Sequence, residues 1–248
     1  MNIFKRISLI LSFLLIFASQ SFATWSIIVV DPKTKQIGIA GASCTQSVYG
    51  IGAIVPGKGA IVVQAMSNYF ARVKGFEMII AEAKPSEILN AMMDPQYSPE
   101  MQQYAIVTVK YIDSPSTYTG SSAFAYKGAL TAKGVSVQGN ILADSAELQH
   151  VLNTVLKAQQ DALSIEDVLM LGLEAGAQLG GDRRCGDTKA LSAFITVANP
   201  GDDRKNPYLN LVVYGTTEKI NAIEALRKKI NEWKTNRIND PFQTKKNN

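Results

Sequence analysis

Histidine is nearly missing from this chain, with a single residue, His150, in 248. Cysteine is almost as scarce, limited to Cys44 and Cys185. Two cysteines and one histidine cannot close a zinc site of the usual Cys/His kind, so no metal or other cofactor is expected. His150 is also the sole candidate for the base of a Ser-His-Asp triad, and its strongly helical surroundings argue against that arrangement. A large excess of one charge is absent too. The formal net charge is +4, which gives no reason to expect nucleic acid as a partner. After the first two dozen residues no apolar run is long enough to span a bilayer, so stable membrane insertion is not expected.

The sequence does carry an export pattern at its start. In MNIFKRISLILSFLLIFASQSFA, Lys5 and Arg6 precede an apolar run from Ile7 to Phe17, and the small residues Ser21 and Ala23 follow. That order is a secretory signal with cleavage after Ala23. The alternative, an uncleaved anchor, asks the run to cross a bilayer that needs about 20 apolar residues. The expected organisation is a signal over residues 1–23, one domain over 24–240 and a frayed tail over 241–248. Lys5 and Arg6 are two of the 25 basic residues, so 23 against 21 acidic ones leave the mature chain at +2. Such a protein is periplasmic or secreted, and an oxidising compartment favours joining Cys44 to Cys185. Two separately buried thiols are the other reading.

The mature chain opens as a hairpin, TWSIIVVD, the turn PKTK, then QIGIAGAS. Trp25, Ile27 and Val29 alternate with Ile28 and Val30, so both faces of the strand are apolar and both must be covered. IGAIV and AIVVQAM form a second hairpin around PGKG. YFARVKGFEMIIAEAK and SEILNAMM read as helices, and YAIVTVK and GVSVQ as strands. Asp144 and Glu147 have the spacing of a capping box ahead of a helix carrying Leu148, Val151, Leu152, Val155 and Leu156. IEDVLMLGLEAGAQ is a further helix. ALSAFITVA and YLNLVVY are strands, and Ile220, Ile223, Leu226, Ile230 and Trp233 mark a last helix. Strands in hairpin pairs with helices grouped between them argue an antiparallel α+β fold.

Cleavage after Ala23 would free the α-amine of a threonine at the head of a buried strand. A threonine hydroxyl is a weak nucleophile, but its own N-terminal amine, with a pKa of about 8, can serve as base. That chemistry needs no histidine. An ordinary N-terminal threonine is the plainer alternative. If Asp31 faces Gln36 across the turn, Thr24 faces Ser43, and Thr24, Ser26, Gly41 and Ser43 make a small, polar end to one face. A bulge would shift that register and remove the pairing. Joining Cys44 to Cys185 would bring Asp182, Arg183 and Arg184 close to Thr24, to orient an ammonium or bind a carboxylate, or merely to buttress a loop. VSVQGNIL reads as a strand end entering a helix, where backbone amides with Gln138 and Asn140 could receive negative charge. Asn68, after AIVVQAM, is a similar candidate.

TWSIIVVDPKTKQIGIAGAS, GAIVVQAMSN, SVQGNILA and EAGAQLGGDRR, in this order, resemble the prokaryotic family called domain of unknown function 1028. The resemblance spans nearly the whole mature chain and implies a four-layer αββα sandwich of the N-terminal-nucleophile (Ntn) hydrolase type. After GGDRR this chain has CGDTKAL, with Cys185, Asp187 and Lys189 where relatives carry a glycine, an amide and an alanine. The cysteine variant accompanies exported members with a cysteine after the second strand, which favours the Cys44–Cys185 disulfide. The function implied is an amidohydrolase using Thr24 on a small-molecule or peptide amide, with backbone amides near Ser43 or the QGN segment as oxyanion donors. The alternative is a non-catalytic binding or surface-assembly protein of fimbrial type. A homo-oligomer is compatible with either.

Overall fold

The computed structural model describes residues 24–215 and 220–238. The expected signal and tail lie outside the described residues.

Among the described residues ten strands form two sheets, every pairing antiparallel. The larger sheet holds β1 (Thr24–Val30), β2 (Ile37–Ser43), β7 (Gly128–Ala132), β8 (Val135–Asn140), β9 (Ser192–Ala198) and β10 (Leu209–Val213), in the order β10-β9-β2-β1-β8-β7. The smaller holds β3 (Gly52–Val55), β4 (Gly59–Ala65), β5 (Gln102–Thr108) and β6 (Ser116–Thr119), in chain order. Five α-helices accompany them among the described residues: α1 (Tyr69–Ile80), α2 (Pro85–Met92), α3 (Glu147–Gln160), α4 (Ile165–Gln178) and α5 (Ala222–Ile238).

The turn after β1 sets the register of the first hairpin. The Asp31 amide donates to Gln36 O at 2.9 Å, and Asp31 Oδ1 accepts from the amides of Lys33 and Thr34. Val30 therefore faces Ile37, and the pairing runs unbulged to Trp25 and Ala42. Alternation along β1 then decides what each face meets. Trp25, Ile27 and Val29 pack with Val151, Val155, Leu169 and Leu173 of α3 and α4. Ile28 and Val30 turn the other way, into an apolar cluster with Val62 and Val107 of the smaller sheet. The far side of that sheet, Ile61, Val63 and Ile106, packs on Ile79 of α1 and on Ile88 and Met92 of α2. Two glycines let α4 lie close on β1. A Cβ at Gly172 would stand 2.5 Å from Ile27 Cδ1, and one at Gly176 would stand 2.5 Å from Trp25 Nε1.

Two expected local features differ. The QGN segment does not lead from the strand into a helix, because Gln138, Gly139 and Asn140 are strand residues paired to β1 and the first two also to β7. α3 starts only at Glu147, so no helix N-terminus stands at that strand end. Asp144 and Glu147 do not form a capping box either. Asp144 Oδ1 accepts from the Ala146 amide, while the Glu147 side chain is fully buried.

Candidate functional site

Thr24 opens β1 as the ladder partner of Asn140, and only 2% of its surface is exposed. Strand parity puts its side chain on the face it shares with Ser26, turned toward the smaller sheet. There it lines a cavity of about 370 Å³, together with Thr45, Gln64, Ser67 and Arg72. Two wall residues hold left-handed backbone, Ala65 at φ 69° and Ser67 at φ 51°. Ile141, directly after Asn140, does so at φ 51°. Such conformations cost on the order of 1–3 kcal/mol each away from glycine, and they collect where a fold must hold a site.

A network of buried amides and hydroxyls continues from the cavity into the space between the sheets. Ser26, Gln64, Gln103, Ser136, Gln138 and Asn140 are all fully buried. Its polarity follows from backbone carbonyls, which can only accept. Gln103 Nε2 donates to the carbonyls of Gly139 (2.8 Å) and Gly128 (3.2 Å), so Gln103 Oε1 is an acceptor. It receives Gln64 Nε2 at 2.9 Å and Asn140 Nδ2 at 2.8 Å. Gln64 Nε2 also donates to Thr24 O at 3.3 Å. Gln64 Oε1 accepts from Ser26 Oγ, which accepts from Gln138 Nε2, whose Oε1 takes Ser136 Oγ. With its amide nitrogen committed, Asn140 leaves Oδ1 buried and without a partner beside the strand position of Thr24.

Asp182 belongs to a separate, loop-bracing cluster. Cys44 and Cys185 are joined in a disulfide with Cα atoms 5.5 Å apart. Asp182 is fully buried, and its Oδ2 accepts from the Cys44 amide (2.6 Å) and from Arg184 Nη2 (2.7 Å). Oδ1 accepts from the Arg184 amide and Nε, both at 3.1 Å. The Cys44 amide is thereby spent, which removes it from the oxyanion donors expected near Ser43. Ser43 itself is buried, accepts from Thr45 Oγ1 at 3.1 Å, and pairs with Ser192 of β9. Next to Asp182 stands Glu147, with no hydrogen-bond partner for either carboxyl oxygen. The nearby amides of Ala143 and Gly181 donate instead to the carbonyls of Gly181 and Gly176. Burial, reinforced by the Asp182 charge, pushes the Glu147 carboxyl up to about 9.

Of the expected site residues, Thr24 alone lines the cavity. Gln138 and Asn140 join it through the buried network, and Ser43 through Thr45. Asn68 caps α1, its Oδ1 accepting from the Ala71 amide and its Nδ2 donating to Tyr97 O. His150 sits on α3 with Nε2 3.1 Å from Gln178 Oε1 and does not line the cavity.

Three residues that the sequence reading passed over belong to the site. Gln64 breaks the apolar run AIVVQAM, and Gln103 is the second residue of the next buried strand, which is the trace they leave in sequence. Arg72, in the first turn of α1, is half-buried. Its Nη1 donates to Ser67 Oγ at 3.3 Å, and its guanidinium lies 5.5 Å from the centre of the Tyr69 ring. Desolvation pulls its pKa below the ordinary arginine value. No carboxylate of the described residues forms an ion pair with it. Arg72 also lines a second, larger cleft of about 790 Å³, whose walls include Tyr69, Phe76, Phe194 and Arg204.

Residues 24–223 match the family described as a family of unknown function, DUF1028. The chain belongs to the DUF1028 family. The DUF1028 protein SPO2555 from Silicibacter pomeroyi has a similar crystal structure, with a TM-score of 0.71 and 23% identity, covering 85% of each chain. That likeness concerns the fold. No curated protein matches the chain significantly. The DUF1028 match begins at Thr24, the residue that opens β1.

Proposed function

We propose that this DUF1028 protein is an exported amidohydrolase of the N-terminal-nucleophile type, built as a four-layer αββα sandwich with Thr24 as nucleophile. The observation that carries the reading is the position of Thr24, at the head of a central strand and on the wall of a cavity that Thr45, Gln64, Ser67 and Arg72 also line. The order of packing along β1, helices on one side and a second sheet on the other, supports the sandwich. The Cys44–Cys185 disulfide and the apolar, basic-led N-terminus support export. No helix of the described residues is long and apolar enough to cross a membrane.

In this reaction the free α-amine of Thr24 takes the hydroxyl proton as Oγ1 attacks the amide carbonyl, forming a C–O bond. The proton passes to the leaving nitrogen as the C–N bond breaks. Water then attacks the Thr24 ester with the same amine as base, releasing the acid and restoring the hydroxyl. Asn140 Oδ1, an acceptor without a partner, receives a hydrogen bond from the α-ammonium and holds it toward Oγ1.

A β-lactone electrophile offered to the mature protein should add its mass at Thr24, with labelling abolished in Thr24→Ala. Absence of labelling, together with no hydrolysis across an amide library, overturns the assignment. It would favour the binding or surface-assembly reading, which has one observation of its own. The cavity wall contains no Asp, Glu, Lys or His among the described residues.

A further inference from the structure

We infer that Arg72 is a carboxylate receptor, and that the preferred ligand is an N-acylated amino acid or short peptide with a free carboxylate and an aromatic or branched apolar side chain. The inference rests on the amidohydrolase reading for what happens to that ligand, but not for its binding.

The Thr24 cavity and the larger cleft share three lining residues, Tyr49, Gly50 and Arg72. Arg72 thus stands at the junction, open to the nucleophile's cavity on one side and to the cleft on the other. Its guanidinium is held in place by Ser67 Oγ and the Tyr69 ring rather than by an anion. A fixed, partly desolvated guanidinium without a carboxylate is suited to a planar anion from outside, which it can meet with two parallel N–H bonds. The charge around it agrees. Arg72, Arg204 and Lys205 line the cleft against one carboxylate, Glu77.

The remainder of the cleft specifies the other half of the ligand. Phe194 meets Tyr49 edge-on with ring centres 5.6 Å apart, and Arg204 lies 5.1 Å from the Phe76 ring centre, so aromatic faces and edges form its walls. Such walls take an apolar side chain. An α-amino acid residue carries a carboxylate, an apolar group and an amide nitrogen on one carbon, which is the spacing a junction of this kind can read.

Binding of N-acetyl-L-phenylalanine and of its uncharged carboxamide to the mature protein, measured by calorimetry, tests this. Thr24→Ala supplies a background without turnover. The acid should bind roughly tenfold or more tightly than the carboxamide. Arg72→Gln should abolish that preference by weakening the acid far more than the carboxamide, and Arg72→Lys should keep part of it. Thermal midpoints confirm that each variant folds. Equal affinities, no binding of either compound, or a preference that survives Arg72→Gln overturns the inference, and transfer of the preference to Arg204→Gln would move the receptor there. The two readings fail separately. Lactone labelling of Thr24 without an acid preference removes only the carboxylate receptor, whereas an acid preference without labelling removes only the hydrolase.

Discussion

Glu147 holds a fully buried carboxyl without a hydrogen-bond partner, beside the charged Asp182. In the folded protein it keeps its proton up to about pH 9, whereas the unfolded chain releases it above the ordinary value of 4.5. The folded state therefore binds more protons between those limits, and stability falls as pH rises through the window, by up to about 1.4 kcal/mol per pH unit. Glu147→Gln keeps the shape and removes the titration. Urea midpoints at pH 5, 7 and 8.5 should show the variant gaining on the wild type as pH rises, and parallel profiles would refute the account. At this scale the sequence was legible in part. Thr24 stands out because the expected cleavage point and the start of a strand coincide there. Gln64 and Gln103 did not, because their partners lie on strands about 40 residues away and a glutamine inside an apolar run looks like a flaw in the pattern. Asn68 was readable as a helix cap, since YFARV follows it directly, yet its place at a strand end suggested chemistry.

Among elements, the α4–β1 contact sets the tightest limit. Gly176 has the fully buried Trp25 against it, and a methyl there would meet Nε1 at 2.5 Å with nowhere for the indole to go. Gly176→Ala should destabilise by about 1–3 kcal/mol through overpacking, although alanine is the better helix former. Chemical denaturation reads this directly, and a neutral or stabilised variant would mean that α4 can slide on the sheet. Strands with two apolar faces, such as β1, were evident from composition alone. β6 and β7 escaped notice because STYT and GALTA are half-exposed and lack a clear apolar alternation. The helix after β8 is expected from Asp144 because Asp144 and Glu147 have the spacing of a capping box, yet it starts only at Glu147, whose side chain is buried.

For the whole molecule, the disulfide ties the end of β2 to the turn after α4, across 141 residues. Closing so long a loop restricts the unfolded chain, and its removal should cost roughly 2–5 kcal/mol. A Cys44→Ser, Cys185→Ser double variant should melt at a lower temperature. An unchanged midpoint would show that Asp182, through the Cys44 amide, fixes this corner alone. The larger sheet has a further consequence for how the protein is handled. β1 is hydrogen-bonded on both sides, by β2 and β8, yet it is also the first described strand. The first described strand thus lies in the middle of a sheet instead of at its rim. Under the proposed mechanism, anything joined ahead of Thr24, an affinity tag or a single leftover residue, is attached at the cavity wall and blocks the amine that acts as base. A tag beyond the exposed Ile238, at the end of α5, leaves that amine free.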